Sequence, residues 1–255
     1  MKDMFRLDGK IAVVTGGAGG IGEALALGLG YQGATVVVSS RNQRAIDAVA
    51  EKISSETGSE AIAVASDVTD ESSIQSLVNT VVEKYGKIDI LVNAMGMNIK
   101  REAFDYPLED WDQLFEVNVK GTMAACKAVG KVMRDQQGGA IVNLSSGRGI
   151  RGYTGGKTGY CATKGAVELI TKALALEWAP SGIRVNALGP ALVITPGTKH
   201  IAEDPQLAAK YASAVPLGRI GLPEDMVGAV VYLCSDAASF VSGQTIYVDG
   251  GLTAA

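Results

Sequence analysis

Tyr160 and Lys164 stand four residues apart, and on a helix that spacing puts both side chains on one face, a turn apart. A phenol alone, with a reference pKa of about 10, gives up its proton poorly at neutral pH. An ammonium one turn away favours the phenolate and lowers that pKa. The pair therefore suits proton exchange with the oxygen of a carbonyl or an alcohol. Ser146, just after the apolar run Ala140-Ile141-Val142-Asn143-Leu144, can offer a hydroxyl to the same oxygen. Taken alone, Tyr-x-x-x-Lys is a common spacing, and a half-buried tyrosine beside a solvated lysine also produces it. The motif counts only in the right structural setting.

The elements that would supply this setting alternate along the chain. Ile11-Ala12-Val13-Val14 is a short apolar run of the kind buried on both faces of a sheet. It enters Thr15-Gly16-Gly17-Ala18-Gly19-Gly20-Ile21-Gly22, and Glu23 to Tyr31 then carries Leu25 and Leu29 at helical spacing. Strand, glycine turn and helix form the context of a dinucleotide site. Glycines admit a pyrophosphate close to the backbone, and the helix N-terminus offers it unpaired N–H groups. The second strand, Ala34 to Val38, ends at Ser39-Ser40-Arg41. An acid at such a strand end binds a ribose 2′-hydroxyl, whereas an arginine accommodates a 2′-phosphate. With Ser40 and Arg41 there instead of an acid, NADP(H) is favoured and NAD(H) stays possible.

Further strands are expected at 61–65, 88–93, 140–144, 183–188 and 245–248. Asn42 caps a polar helix to Glu56, and Asp70 caps another to Tyr85 that carries Ile74, Leu77, Val78, Val81 and Val82 on one side. Leu108 to Arg134 reads as one long helix, with Asn118 inside it as a polar residue or the seat of a local bend. A glycine-rich loop, 147–159, leads into the Tyr160 helix, which runs to about Trp178 and is stopped by Pro180 and Gly182. The segment 189–217, with Pro190, Pro196, Pro205 and Pro216, is too long for a plain connection and reads as a lid or substrate loop. A helix over 225–233 precedes the last strand. The alternation predicts an α/β fold, a single-domain Rossmann-like doubly wound parallel sheet of about seven strands flanked by helices on both faces. It would occupy residues 1–255, with the strand C-termini at one ligand-binding edge.

Composition sets outer bounds. With 255 residues, 47% hydrophobic and 20% charged, the chain can bury a sizeable core. A net charge of −4 offers no footprint for nucleic acid or a membrane surface, and no apolar run is long enough to span a bilayer. The start, Met1-Lys2-Asp3-Met4-Phe5-Arg6, runs straight into a strand and carries no secretory pattern. Cys126, Cys161 and Cys234 are odd in number and widely spaced, which fits free thiols in a reducing cytoplasm. Packing outranks catalysis for Cys161, whose neighbours are small. The single histidine, His200, argues against a histidine triad and a histidine-rich metal site.

Together these features resemble the short-chain dehydrogenase/reductase family over essentially the whole chain. Thr15-Gly16-(three residues)-Gly20-Ile21-Gly22 resembles its cofactor loop, although Gly17, Gly19 and Gly22 also fit the older G-x-G-x-x-G spacing, so two registers stand. Asp67-Val68 resembles its adenine-binding turn. Asn93-Ala94-Met95-Gly96 stands where the family has Asn-Asn-Ala-Gly, and only the first Asn and the Gly match. Asn118, Ser146, Tyr160 and Lys164 match its catalytic tetrad. The serine-to-tyrosine spacing looks one residue longer than usual, so Ser145 is a rival for the serine role. Pro190-Ala191 replaces Pro-Gly, while Val193 and Thr195 match the segment that caps the nicotinamide. Val248-Asp249-Gly250-Gly251 matches the C-terminal turn.

The resemblance implies an NAD(P)-dependent oxidoreductase, with no metal, that interconverts a secondary alcohol and a ketone. Lys164 would hold the nicotinamide ribose and lower the Tyr160 pKa. Tyr160 would exchange the proton, Ser146 would steady the substrate oxygen, and Asn118 would position a water linking Lys164 to solvent. Lys100, Arg101, Arg148, Arg151 and Lys157 fall in loops at the ligand edge, and Arg148 and Arg151 are candidates for a small polar or anionic substrate such as a sugar acid. Alternatives are a 3-oxoacyl-acyl-carrier-protein reductase and, in another class, a cofactor-binding regulator without turnover. By resemblance the helices at about 108–134 and 160–178 build a homotetramer.

Overall fold

The computed structural model describes residues 3–254, so the Met1-Lys2 start and Ala255 lie outside the described residues. Seven strands form one parallel sheet in the order β3-β2-β1-β4-β5-β6-β7. They are β1 (Ile11–Thr15), β2 (Thr35–Ser39), β3 (Ala61–Ala63), β4 (Ile90–Asn93), β5 (Gly139–Leu144), β6 (Ile183–Pro190) and β7 (Thr245–Val248). The central strands are mostly apolar because both faces are covered. In β1, Ala12 and Val14 join the core under α1 (Gly20–Tyr31), α2 (Gln43–Thr57) and α9 (Val227–Cys234). Ile11 and Val13 join the opposite core, under α3 (Glu71–Tyr85), α5 (Gly121–Asp135) and α6 (Thr158–Trp178).

The helix starts follow from their caps. Asn42 accepts the N–H of Ala45 at the head of α2, and Asp70 accepts that of Ser72 at the head of α3. The long helix expected over 108–134 is in fact α4 (Leu108–Phe115), a π-helical turn (Glu116–Lys120) and α5. Asn118 sits in that turn, so the awkward mid-helix asparagine marks a real irregularity. The expected helix at 225–233 is a 3₁₀ turn followed by α9. The 189–217 segment contains two short helices, α7 (Lys199–Glu203) and α8 (Pro205–Ser213). No helix among the described residues is long and apolar enough to cross a membrane.

The sheet reverses its build between β1 and β4, and that switch point opens a crevice at the strand C-termini. The register aligns Ser39, Thr15, Asn93 and Asn143 in one row across β2, β1, β4 and β5. The row is buried, and each of its side chains is hydrogen-bonded. Thr15 Oγ1 donates to Asn93 Oδ1 (3.0 Å), Asn93 Nδ2 to Asn143 Oδ1 (2.9 Å), and Asn143 Nδ2 to Thr171 Oγ1 of α6 (3.0 Å). It fixes strand ends relative to one another just below the ligand edge.

Candidate active site

The β1–α1 turn fits a pyrophosphate. Gly16 has φ of 72°, and a Cβ there would lie 2.5 Å from the Met95 nitrogen after β4. A Cβ on Gly22 would collide with the Gly16 carbonyl. Gly22 belongs to both registers, and a Cβ on Gly17 would lie 2.6 Å from Val38 Cγ1, so close approach requires glycine at Gly16 and Gly17 alike. Gly19 caps α1 without a side-chain hydrogen bond, so the first N–H groups of α1 face the crevice unmasked. Gly20 packs against Thr195, whose segment is anchored where Val193 bridges to Gly221 and Thr198 Oγ1 donates to the Val193 carbonyl (2.7 Å). The 189–217 segment thus reaches back over the glycine turn.

Arg41 is exposed at the β2 end, beside Ser40. Asp67 follows β3 and accepts the N–H (3.0 Å) and hydroxyl (2.8 Å) of Thr69. Those bonds hold its carboxyl below the usual range, and the nearby Arg41 charge adds to the effect. Val68 packs on Gly121. Asn93 differs from expectation. It is buried, and its amide is committed to Thr15, Asn143 and Cys126. Its side chain braces the sheet beneath the crevice, where the sequence assigned it to the cofactor.

The four residues of the proton-transfer motif converge at the ends of β4 and β5 and the start of α6. Lys164 is buried and donates to the Leu144 carbonyl at 2.7 Å. Its Nζ lies 5.7 Å from the centre of the Tyr160 ring. Asn118 accepts the Met97 N–H (2.8 Å) and donates to the Met97 carbonyl (2.9 Å) and Thr163 Oγ1 (3.1 Å). Thr163 in turn donates to the Tyr160 carbonyl (2.9 Å). Ser146 Oγ accepts the Arg148 N–H (3.2 Å). Ser145 is turned the other way, toward Glu168 Oε1 (2.8 Å), which leaves Ser146 as the hydroxyl beside Tyr160. Gly147 donates to the carbonyl of Pro190 (2.9 Å), joining this turn to the 189–217 segment.

A family model described as enoyl-(acyl carrier protein) reductase matches residues 16–253. D-Threitol dehydrogenase of Mycolicibacterium smegmatis is 38% identical over 249 residues, covering 98% of this chain and 95% of that protein. The 3-oxoacyl-acyl-carrier-protein reductase of Thermotoga maritima is 39% identical over 248 residues, with 97% and 99% covered. The crystal structure of a gluconate 5-dehydrogenase from Burkholderia cenocepacia J2315 in complex with NADP and tartrate superposes with a TM-score of 0.94 at 34% identity, covering 99% and 98%. The chain is a short-chain dehydrogenase/reductase.

As a member of that family it is an NAD(P)-dependent oxidoreductase acting on CH–OH groups, and the regulator reading falls away. The electrostatics of this short-chain dehydrogenase/reductase depart from the sequence expectation at one point. Burial pushes the Tyr160 phenol above its ordinary value, while the Arg148 charge and the Ser146 hydroxyl pull it back. Burial pushes the Lys164 ammonium down to about 8, and one of its three N–H donors goes to a backbone carbonyl.

At the mouth, the Arg148 guanidinium lies 4.9 Å from the centre of the Tyr153 ring. Arg151 lies 5.3 Å from the same ring and donates to its hydroxyl at 3.0 Å. Lys157 is half-buried and pushed down to about 8 by burial and then by the charges of Arg148 and Lys100. Arg148, Lys100 and Lys157 form no ion pair among the described residues. Arg101 stands apart from them, because its Nε pairs with Asp110 (2.7 Å). Sequence reasoning missed Tyr153, Thr163, Glu168 and Tyr247. The spacing of Glu168, one turn beyond Lys164, was the available signal. Cys126 and Cys234 are buried, and burial raises both thiols to about 12, as packing residues require.

Proposed function

We propose that this enzyme interconverts a small hydroxy acid, such as a sugar acid, and its keto form with NADP(H). The observation that carries the substrate class is the set of cations at the mouth, of which Arg148, Lys100 and Lys157 form no ion pair among the described residues. Arg148 is held on Tyr153 and is near enough to bear on Tyr160, with Lys157 and Lys100 beside it. Like charges gathered without a carboxylate are relieved by an anionic ligand. Arg148 and Arg151 face the substrate carboxylate in this reading. Arg41 and Ser40 at the β2 end support NADP(H) over NAD(H) through the 2′-phosphate.

The chain's own residues divide the remaining work. Gly16, Gly19, Gly20, Ile21 and Gly22 receive the pyrophosphate, Asp67 and Val68 border the adenine, and Ala94 and Gly96 line the floor. Pro190, Val193 and Thr195 close the nicotinamide side, and Lys164 holds the ribose. The nicotinamide supplies or accepts the hydride when bound. Tyr160 gives its proton to the substrate oxygen, or takes one back in the other direction. A phenol held above its ordinary pKa is protonated at neutral pH, as the donor role needs. Ser146 steadies that oxygen as its charge changes. Asn118 acts by pinning Met97 and Thr163, which set the floor and the start of α6. A water beside it would carry protons from Lys164 to solvent.

One domain carries all of this, with 189–217 as its substrate segment, in the cytoplasm. Leu169 and Leu176 of α6 are 67% and 79% exposed, and Phe240 is fully exposed, so association of four copies covers apolar surface that one copy leaves wet. Light scattering checks the tetramer. The function is tested with a panel of keto acids, keto sugars, ketones and acetoacetyl thioesters, each with NADPH and NADH. We expect the best kcat/KM for a keto acid with NADPH. Preference for the thioester would move the enzyme to the carrier-protein reductases, and preference for neutral ketones would remove the anion site.

A further inference from the structure

Glu168 is a buried carboxylate that forms no ion pair among the described residues. Both oxygens go to hydroxyls. Tyr247 Oη lies 2.9 Å from Oε1 and 2.9 Å from Oε2, and Ser145 Oγ lies 2.8 Å from Oε1. The three residues belong to three elements: Ser145 follows β5, Glu168 is in α6, and Tyr247 is in β7. Two glycines make room. A Cβ on Gly149 would lie 2.7 Å from Glu168 Oε1 and 2.8 Å from Ser145 Oγ, and one on Gly189 would strike the Tyr247 ring. Burying a carboxylate on neutral partners costs stability that an apolar side chain of similar size would not.

What this contact touches is the catalytic turn. Ser145 immediately precedes Ser146, and its hydroxyl also lies 3.2 Å from the Lys164 carbonyl. The Lys164 ammonium is moored to Leu144, on the other side of Ser145. From Ser145 the chain turns back within a few residues, since Gly149 donates to the Ser146 carbonyl (2.8 Å) and Arg148 to its hydroxyl (3.2 Å). We infer that Glu168 is a positioning residue whose carboxylate, bonded to Ser145 and Tyr247, holds the strand end bearing Ser146 against the α6 turn bearing Lys164. The inference rests on Ser146, Tyr160 and Lys164 carrying the proton chemistry. It assigns Glu168 and Tyr247 a place in setting their distances.

Glu168→Leu, Glu168→Gln and Tyr247→Phe test this, with Tyr160→Phe in parallel, on the substrate turned over in the panel. For Glu168→Leu, kcat falls roughly tenfold to a hundredfold, the scale of a misplaced reacting group. KM and NADPH affinity, followed by nucleotide fluorescence, stay near wild type. Glu168→Gln recovers most of kcat, because an amide oxygen accepts both hydroxyls. Tyr247→Phe loses less, because Ser145 remains bonded, and it serves as the test if the leucine variant fails to fold. A fall in melting temperature with kcat intact in both Glu168→Leu and Tyr247→Phe, or equal damage from Gln and Leu, overturns the positioning role. If Tyr160→Phe keeps its turnover, the underlying chemistry is wrong instead.

Discussion

Lys164 and Lys157 lie two helical turns apart, in and just before α6, and both ammonium groups are pushed down to about 8. The causes differ. Lys164 is lowered by burial, and it donates to a carbonyl that strand β5 presents at its end. Lys157 is lowered by burial and then by two like charges, Arg148 and Lys100, with only the nearby Cys161 pulling the other way. The first environment fixes a charge inside the protein. The second crowds charges at an opening where a ligand can relieve them. The same displacement therefore marks a built-in part at one place and a vacancy in charge at the other.

The stability consequence has one sign for both. A folded-state pKa of about 8, against 10.5 for an ordinary lysine, means the unfolded chain holds more protons between those values. Stability therefore rises with pH through that window, and at neutral pH both charges count against the fold. Proteins retain such costs where function uses the group.

The contrast can be broken in order of effect. Lys164→Met should be the harshest change, lowering kcat by roughly 10²–10⁴ and weakening NADPH binding as well. Steady-state kinetics within tenfold of wild type would make this lysine a mere prop. Next, Arg148→Met should raise KM for a keto acid about 10- to 100-fold, the scale of a charge-assisted hydrogen bond, and leave neutral ketones nearly unchanged. An equal rise for both substrate types would detach Arg148 from anion recognition. The mildest test is a pH profile. KM for the keto acid should climb above pH about 8 as Lys157 loses its proton. Arg148→Met should move that break upward by removing a like charge, and Lys157→Met should flatten it and raise the melting temperature slightly. A flat wild-type profile would show that Lys157 does not meet the anion.

Legibility in the sequence follows the same division. The cofactor half is built by backbone sterics, and sterics leave traces in residue type. Gly16 and Gly22 are required by contacts no side chain could survive, and the central strands are mostly apolar because both faces are covered. Even the π turn announced itself through Asn118. Tertiary contacts leave no such trace. The choice between Ser145 and Ser146 depends on Glu168, more than twenty residues away in sequence. The inward turn of Asn93 depends on the register of β4 with β1 and β5. The Tyr160 pKa depends on burial that spacing cannot report, which is why a lowered value was expected and a raised one was found.

The central claim is that the Tyr160 hydroxyl exchanges the substrate's proton. Its most direct test is the turnover of Tyr160→Phe, measured beside its NADPH affinity. We predict a kcat reduced by at least roughly 10²-fold with the nucleotide still bound as in the wild type. Turnover within a few-fold of wild type, with the nucleotide bound, would contradict it.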